Sequence, residues 1–289
     1  MLSLLAASGG AADPIYWSDY NLGEALFSIG WFDLRYYSLA YLIGVIFAYW
    51  HLSKMIKSPG APLAQRHADD LFFYCTLGVI LGGRIGYSIF YQPGLWENPL
   101  DILKLWEGGM SFHGGLAGVL IAIAWVSKRG NLSFLRVCDY IAVNVPMGMM
   151  LGRLANYNNG ELWGRASDVP WAMIFAKADE VPRHPSQLYQ AGLEGLALLI
   201  ILMLLFWKTN ARFRPGLLVG VFTLGMGIAR FVNEFFREPD AQLADFAART
   251  GLSMGQWLTI PLILIGLIVT IYAVTRKPVG TGSAASTPA

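Results

Sequence analysis

The sequence predicts an all-α, polytopic integral membrane protein with about seven transmembrane helices, and three observations support this fold class. Of the 289 residues, 55% are hydrophobic and only 14% are charged, whereas soluble domains carry about 25% charged residues. The apolar residues fall in long runs, and the loops between these runs differ in their content of Lys and Arg. This composition excludes an ordinary cytosolic enzyme and a disordered chain. The net charge of +2 is also too small to indicate a nucleic-acid partner.

Seven stretches have the length and apolarity that a membrane span requires. A hydrocarbon core about 30 Å thick needs roughly 20 mostly apolar helical residues. The third and fourth stretches are the weakest, and the full set lies at 36–53, 70–91, 112–127, 134–152, 188–207, 216–236 and 256–275. We expect residues 1–277 to form a single transmembrane domain. The end of the chain, 278–289, is small and polar and predicts a disordered tail.

The distribution of Lys and Arg predicts the orientation in the membrane. Eleven of the 21 Lys and Arg residues lie in the loops after the first, third and fifth spans and at the C-terminal end. Because loops rich in Lys and Arg face the cytoplasm, the C-terminus is expected inside and the N-terminus outside. The two long outer segments, 1–35 and 154–187, are the candidates for a small head domain.

Charged side chains at membrane depth are the first candidates for function, because their insertion into the bilayer costs several kcal/mol. Three arginines qualify, together with three acids: Arg84, Arg153, Arg230, Glu234, Asp139 and Glu194. Arg230, Glu234 and Arg237 follow each other at helical spacing, so they share one helix face. An internal ion-pair ladder is the alternative explanation for that face.

The sequence around Arg153 favours a bound ligand over an internal ion-pair ladder. No acid lies three or four residues before Arg153, and Glu161 lies eight residues after it. Several guanidinium groups at one depth with few nearby acids indicate an anionic ligand. Arginine binds phosphate through paired hydrogen bonds, and a phospholipid headgroup is the phosphate available at that depth.

The segment GGMSFHGG at 108–115 opens the third span. Its glycines, Gly114 and Gly115 among them, allow a ligand to approach the backbone closely, and Ser111 can cap the helix that follows. His113 has a reference pKa near 6.5, which suits a proton acceptor at neutral pH. A hydrogen-bonded structural histidine is the alternative interpretation.

The remaining polar candidates surround Arg153 and the start of the first span. Asn156 shares a helix face with Arg153 if that helix continues, whereas Asn158 and Asn159 are typical of a turn. Tyr37 lies where interfacial tyrosines are common. Cys75 and Cys138 lack any paired spacing, so neither a disulfide nor a metal site is expected, and no cofactor is expected.

Taken together, these segments resemble the prolipoprotein diacylglyceryl transferase family. The most specific piece is the signature formed by Gly152, Arg153, Asn156, Asn159, Glu161 and Gly164. The matching motifs cover nearly the whole chain and follow the family order: YYSLAYLIG, LGGRIGYSIFY, GGMSFHGGL, GRLANYNNGELWGR, PRHPSQLY, EFFREPDAQ and SMGQWLTIP.

The resemblance implies an enzyme of the bacterial inner membrane, with a periplasmic N-terminus, that catalyses the first step of lipoprotein maturation. Such an enzyme moves the diacylglyceryl group of phosphatidylglycerol to the lipobox cysteine of a prolipoprotein, forms a thioether and releases glycerol phosphate. The catalytic positions of the family correspond here to His113, Arg153, Arg230 and Tyr37. The positions that bind the headgroup correspond to Arg153, Asn156, Glu161, Gly164, Arg230 and Glu234, and Arg84, Arg237, Gly114 and Gly115 also lie in matching motifs.

Two other functions are compatible with a membrane protein of this composition. A transporter with arginines along its path is disfavoured by the lack of an internal repeat and by the concentration of the polar motifs on the outer side. A factor that holds lipid or peptide without chemistry is disfavoured only by the resemblance.

Overall fold

The computed structural model describes residues 14–23, 25–30, 32–92, 94, 99–104, 108–238 and 249–279. The described chain is mostly helical, as predicted, and a helix lies on each of the seven predicted stretches. The helices in chain order are α1 (Tyr36–Met55), α2 (Gln65–Phe90), α3 (Phe112–Arg129), α4 (Phe134–Ala142), α5 (Val145–Asn158), α6 (Ser186–Lys208), α7 (Leu217–Asn233) and α8 (Met254–Thr275). Residues 280–289 of the predicted tail lie outside the described residues.

Within the described ranges, four helical segments are long and apolar enough to cross a membrane: Gln65–Phe90, Phe134–Asn158, Ser186–Lys208 and Met254–Thr275. Helix α7 is apolar but has only 17 residues. Helices α1 and α3 coincide with predicted spans but carry polar ends that lower their mean hydropathy. The prediction of a multi-pass helical membrane protein is therefore confirmed, and the number of seven spans is approximate.

Helices α2 and α3 pack with their backbones in direct contact. A Cβ atom added to Gly78 would lie 2.6 Å from the carbonyl oxygen of Gly118, and one added to Gly86 would lie 2.8 Å from the Cα of Gly114. Gly82 faces the same helix, and its Cβ would overlap the backbone of Gly114. Only glycine allows so close an approach, which is a common way for membrane helices to pack.

The fourth predicted span is interrupted between α4 and α5. The side chain of Asn144 lies at the interruption, donates to the carbonyl of Tyr140 (2.8 Å) and lies 2.7 Å from Nδ1 of His51. Trp207 donates to Nε2 of His51 (3.0 Å), so Nδ1 carries the proton that Asn144 accepts. This buried network joins α1, α5 and α6.

A small head covers one end of the helices and joins the two outer segments predicted from the sequence. Strand β1 (Ile15–Tyr16) pairs in parallel with β4 (Met173–Ile174), which pairs antiparallel with β5 (Pro182–Arg183), and the indole of Trp17 donates to the carbonyl of Tyr157 (2.6 Å). An antiparallel hairpin of β2 (Ala25–Ile29) and β3 (Phe32–Arg35) leads into α1. These strands were not predicted. We call this end of the molecule the head end.

The opposite end of the bundle is held by Asp139. Its buried carboxylate accepts hydrogen bonds from the backbone N–H groups of Gly216 (2.7 Å) and Val219 (2.9 Å) at the start of α7. The first N–H groups of a helix have no partner within the helix and favour a negative charge. Asp139 therefore acts as a helix cap, which accounts for one of the three intramembrane acids noted in the sequence.

Candidate active site

Two arginines from different helices converge at the head end. Arg153 lies near the end of α5 and Arg230 in the last turn of α7, and their side chains are 23% and 20% exposed. Between them lies Glu194 of α6, whose side chain is 0% exposed. Nη2 of Arg153 is 3.8 Å from Oε2 of Glu194, and Nη1 of Arg230 is 4.0 Å from Oε1. We call Arg153, Glu194, Arg230 and Glu234 the arginine cluster.

Glu234 completes the cluster from the C-terminal end of α7. Its Oε2 atom is 3.5 Å from Nη2 of Arg230, one helical turn earlier. Gly255 of α8 lies directly against this carboxyl group, because a Cβ added there would be 2.6 Å from the Cδ atom of Glu234. The predicted pairing of Arg230 with Glu234 is present, but it forms only one part of a larger network.

A chain of polar contacts runs from Arg153 into the loop after α5. Asn156 accepts from Nη1 of Arg153 (3.4 Å) and donates to Oε1 of Glu161 (2.9 Å). Asn159 donates to the same oxygen (3.2 Å), and Gln187 at the start of α6 donates to the carbonyl of Glu161 (2.7 Å). Most of the signature read from the sequence is therefore one connected network around Arg153.

Gly164 lies where two backbone segments meet. Its N–H donates to the carbonyl of His184 (2.9 Å), and it forms a β-bridge with Arg237. A Cβ at this position would lie 2.5 Å from the carbonyl oxygens of both His184 and Phe236. Only glycine fits, and the close contact brings the segment after α7 beside the signature loop.

Long-range electrostatics extend the site beyond these contacts. Tyr37 and Arg237 lie close enough to Arg153 to interact with its charge. In the head, Arg183 bonds to Asp179 (2.6 Å) and to Glu238 (3.0 Å), and its guanidinium keeps the pKa of the Asp179 carboxyl below its usual range. These ion pairs attach β5 to the segment that follows α7.

Arg84 binds the loop before α3, and none of its described hydrogen bonds joins it to the arginine cluster. Its guanidinium donates to the carbonyls of Asp101 (2.9 Å), Ile102 (2.8 Å), Gly108 and Gly109 (3.3 Å). These contacts are those of a residue that positions a loop. Its predicted role in headgroup binding stays a prediction.

His113 and its flanking glycines make no described contact with the arginine cluster. The exposed ring of His113 packs edge-on against Phe112 at 5.6 Å, and none of the described polar contacts joins it to Arg153 or Arg230. Ser111 accepts from the N–H of Gly114 (3.2 Å), as the predicted helix cap. Gly114 packs against α2, and Gly115 in the same turn is buried. Their predicted contact with substrate stays a prediction.

Glu194 was noted in the sequence as an intramembrane acid, but it was not assigned to the site. The expectation of few acids near the arginines was wrong, because an acid from a third helix lies between them. Sequence spacing cannot reveal a contact that depends on how α5, α6 and α7 pack. The sequence does contain one indication of this contact: Glu194 is an acid within the apolar run of α6, and Arg153 is a cation without an acid at helical spacing before it.

Among the described residues, no group of three or more His, Cys, Asp and Glu could hold a metal ion.

Comparison with known proteins identifies relatives along nearly the full chain. The family model described as prolipoprotein diacylglyceryl transferase matches residues 24–272. A protein of Erythrobacter litoralis is 66% identical over 272 residues, which cover 94% of this chain and 96% of the relative. A protein of Zymomonas mobilis is 51% identical over 84% of this chain and 85% of its own, and one of Rhodospirillum rubrum is 47% identical over 89% and 94%. All three are named phosphatidylglycerol–prolipoprotein diacylglyceryl transferase.

Proposed function

This chain belongs to the prolipoprotein diacylglyceryl transferase family, and we propose that its arginine cluster binds the phosphate of phosphatidylglycerol during transfer. The protein is a multi-pass membrane enzyme that transfers a diacylglyceryl group from phosphatidylglycerol to a prolipoprotein. The observation that carries the assignment of the site is the convergence of Arg153 and Arg230 at the head end. Both lie in the matched part of the chain.

The acceptor in this proposal is the thiol of the lipobox cysteine. Its sulfur attacks the glyceryl carbon that bears the phosphate ester, so a carbon–sulfur bond forms while the carbon–oxygen bond to phosphate breaks. The electron pair leaves on the phosphate oxygen as glycerol phosphate. The thiol loses a proton, because the thiolate is the nucleophile.

Arg153 and Arg230 stabilise the negative charge that develops on the leaving phosphate oxygen. Donors that are already in place can each contribute about 3 kcal/mol to lowering such a barrier. Their partly exposed side chains leave an open face for the headgroup. Asn156 and Tyr37 hydrogen-bond to the headgroup, Glu161 holds Asn156 (2.9 Å), and Glu234 holds Arg230. Gly164 keeps the loop close to the site, and the charge of Arg237 adds to the attraction.

His113 accepts or relays the proton of the thiol in this mechanism. Its exposed ring at the start of α3 is accessible to a peptide from the head end. The purified His113→Ala variant should lose at least a hundredfold in turnover if the histidine is the general base, as is usual for such groups. Turnover close to that of the wild type would remove His113 as an obligatory base.

The membrane in this proposal is the bacterial inner membrane, with the head end and the N-terminus in the periplasm and the C-terminus in the cytoplasm. The eleven Lys and Arg residues on the opposite side support this orientation. Residues 1–277 then act as one catalytic domain. Cysteine labelling of single-cysteine variants at each end, in intact cells, tests this orientation.

One assay tests the reaction directly. Purified protein is mixed with phosphatidylglycerol vesicles and a lipobox peptide, and the peptide is analysed by mass spectrometry. A diacylglyceryl adduct on the peptide cysteine is expected. A peptide without its cysteine is the control and should stay unmodified. Lipid movement or lipid binding without an adduct would instead support a transporter or a lipid-holding factor.

A further inference from the structure

Glu194 lies in an unusual segment of α6. Residues Ala191–Ala197 form a π-helix inside the longer helix. Such segments are rare and often occur at functional sites. The next residue, Gly195, packs directly on α5, since a Cβ added there would lie 2.5 Å from the Cβ atom of Met150 and 2.7 Å from its Cα. Glu194 is therefore fixed against α5 beside Met150, which lies about one helical turn before Arg153.

The carboxylate of Glu194 has charge partners, but it has no hydrogen bond to any described residue. Both oxygens are buried and without a hydrogen-bond partner in the described part of the chain. The distances of 3.8 and 4.0 Å to the two guanidinium groups exceed the usual length of a hydrogen bond. A buried carboxylate in this state is costly for folding. A pure stabilising role therefore explains it poorly.

The same geometry leaves the arginine donors available. Each oxygen of Glu194 faces a different arginine, and the described hydrogen bond of Arg153 is a long one to Asn156 (3.4 Å). Arg230 contacts Glu234 at 3.5 Å. A guanidinium carries five N–H groups, so most of those on Arg153 and Arg230 have no hydrogen-bond partner among the described residues. Glu194 is wholly buried and both arginines are partly exposed, so the exposed edges of the arginines are not covered by Glu194.

We propose that Glu194 is a positioning residue that holds Arg153 and Arg230 together as a pair, with their free N–H groups presented to one phosphate group. This inference rests on the proposed function and adds a residue to it. Without the shared negative charge the two cations repel each other, and each gains freedom to turn away. The carboxylate does not contact the substrate, and its effect passes through the arginines.

The kinetic test uses Glu194→Gln in the full-length purified enzyme, with phosphatidylglycerol and the lipobox peptide varied separately. Glutamine keeps the size of the side chain and removes its charge. We expect kcat/KM for phosphatidylglycerol to fall at least thirtyfold, while KM for the peptide changes less than twofold. A loss below fivefold, or an equal rise in KM for both substrates, would overturn the proposal.

Two glycine variants provide a matched pair within the π-helix. Gly195→Ala must push α6 away from α5, and we expect it to raise KM for phosphatidylglycerol at least fivefold. Nothing lies within 4 Å of a Cβ added to Gly192, so Gly192→Ala should stay within twofold of the wild type. If Glu194→Gln does not fold, Glu194→Asp and Gly195→Ala replace it as the test. Each should impair the kinetics for phosphatidylglycerol and leave KM for the peptide nearly unchanged. Equal effects of the two glycine variants would contradict the proposal.

A soluble competitor tests whether the site recognises the phosphate group without the rest of the lipid. Glycerol phosphate should inhibit the wild type in competition with phosphatidylglycerol, and the inhibition should weaken at least tenfold in Glu194→Gln. Unchanged inhibition in that variant would overturn phosphate as the group that the pair recognises. A wild type that makes no adduct would refute the proposed function itself. If the wild type is active and Glu194→Gln has unchanged kinetics and inhibition, only this inference is refuted.

Discussion

The two ends of the bundle each hold a wholly buried carboxylate in very different surroundings. Asp139, at the end opposite the head, accepts two backbone hydrogen bonds of 2.7 and 2.9 Å. Glu194, at the head end, has two arginines at 3.8 and 4.0 Å and no hydrogen bond from the described residues. Buried polar groups in folded proteins are normally hydrogen-bonded. Folding explains the hydrogen-bonded Asp139, and we propose a functional role for Glu194, which has no described hydrogen bond.

The intramembrane arginines divide in the same way. Arg84 donates to four backbone carbonyls, so its hydrogen-bonding capacity is largely used within the protein. Most N–H groups of Arg153 and Arg230 have no hydrogen-bond partner among the described residues, and in our proposal they bind a phosphate group. A charge at membrane depth is thus a weak indicator of a site by itself, and the number of its hydrogen bonds separates structural from functional charges.

The largest expected effect comes from removing either arginine of the cluster. Arg153→Ala and Arg230→Ala should each lower kcat/KM for phosphatidylglycerol about 10²–10³-fold, since each removes a donor to the leaving phosphate. Steady-state kinetics on purified protein measures the loss. The chromatographic profile in detergent controls for folding. Full activity in both Arg153→Lys and Arg230→Lys would show that paired hydrogen bonding is the wrong explanation.

The next effect is expected at Arg84 and should be structural. Arg84→Leu removes the donor of several charge-assisted hydrogen bonds, each worth about 1.5–3 kcal/mol. We expect a lower thermal midpoint and faster proteolysis within the segment between α2 and α3. Limited proteolysis followed by mass spectrometry measures this. If the folded variant instead loses as much kcat/KM for phosphatidylglycerol as Arg153→Ala, then Arg84 belongs to the lipid site.

A smaller effect is expected at Asp139. Asp139→Asn keeps one acceptor and leaves one N–H at the start of α7 without a partner, which costs about 1–3 kcal/mol. The thermal midpoint should fall, while the KM for phosphatidylglycerol of the folded fraction should not change. Thermal unfolding and kinetics on the same preparation test both statements. A selective rise in that KM would break the contrast between the two ends.

The smallest effect is expected for the protein's own cysteines. Cys75 and Cys138 are free thiols at least partly buried within the bundle, and the substrate supplies the reacting thiol. The double variant Cys75→Ser, Cys138→Ser should therefore keep its activity in the adduct assay. A loss of the adduct without loss of folded protein would implicate one of these thiols in the transfer.

The sequence predicted the helices well and the site only in part. The apolar runs placed all seven stretches on helices, because membrane thickness sets their length. The interruption at Asn144 was not predicted, since it depends on the partners that His51 and Trp207 bring from other helices. The short strands of the head were also not predicted, because their pairing joins residues that lie far apart in the chain.

The candidate site shows the same limit. Arg153, Asn156 and Glu161 were recognisable because they lie within one motif, and the structure connects them by hydrogen bonds. Arg230 was recognised because placing a charged side chain within the membrane costs free energy. Glu194 was noted for the same reason but received no partner, because its contacts join three helices. Local motifs are visible in one sequence, and contacts between distant helices are not.

The glycine contacts between α2 and α3 restrict how this enzyme can change shape. Because the backbones of α2 and α3 touch at Gly78, Gly82 and Gly114, a side chain at any of these positions would force the two helices apart. The same pair of helices carries both the loop held by Arg84 and the ring of His113. If the pair stays in contact during turnover, any approach of His113 to the arginine cluster displaces α2 and α3 together relative to α5, α6 and α7.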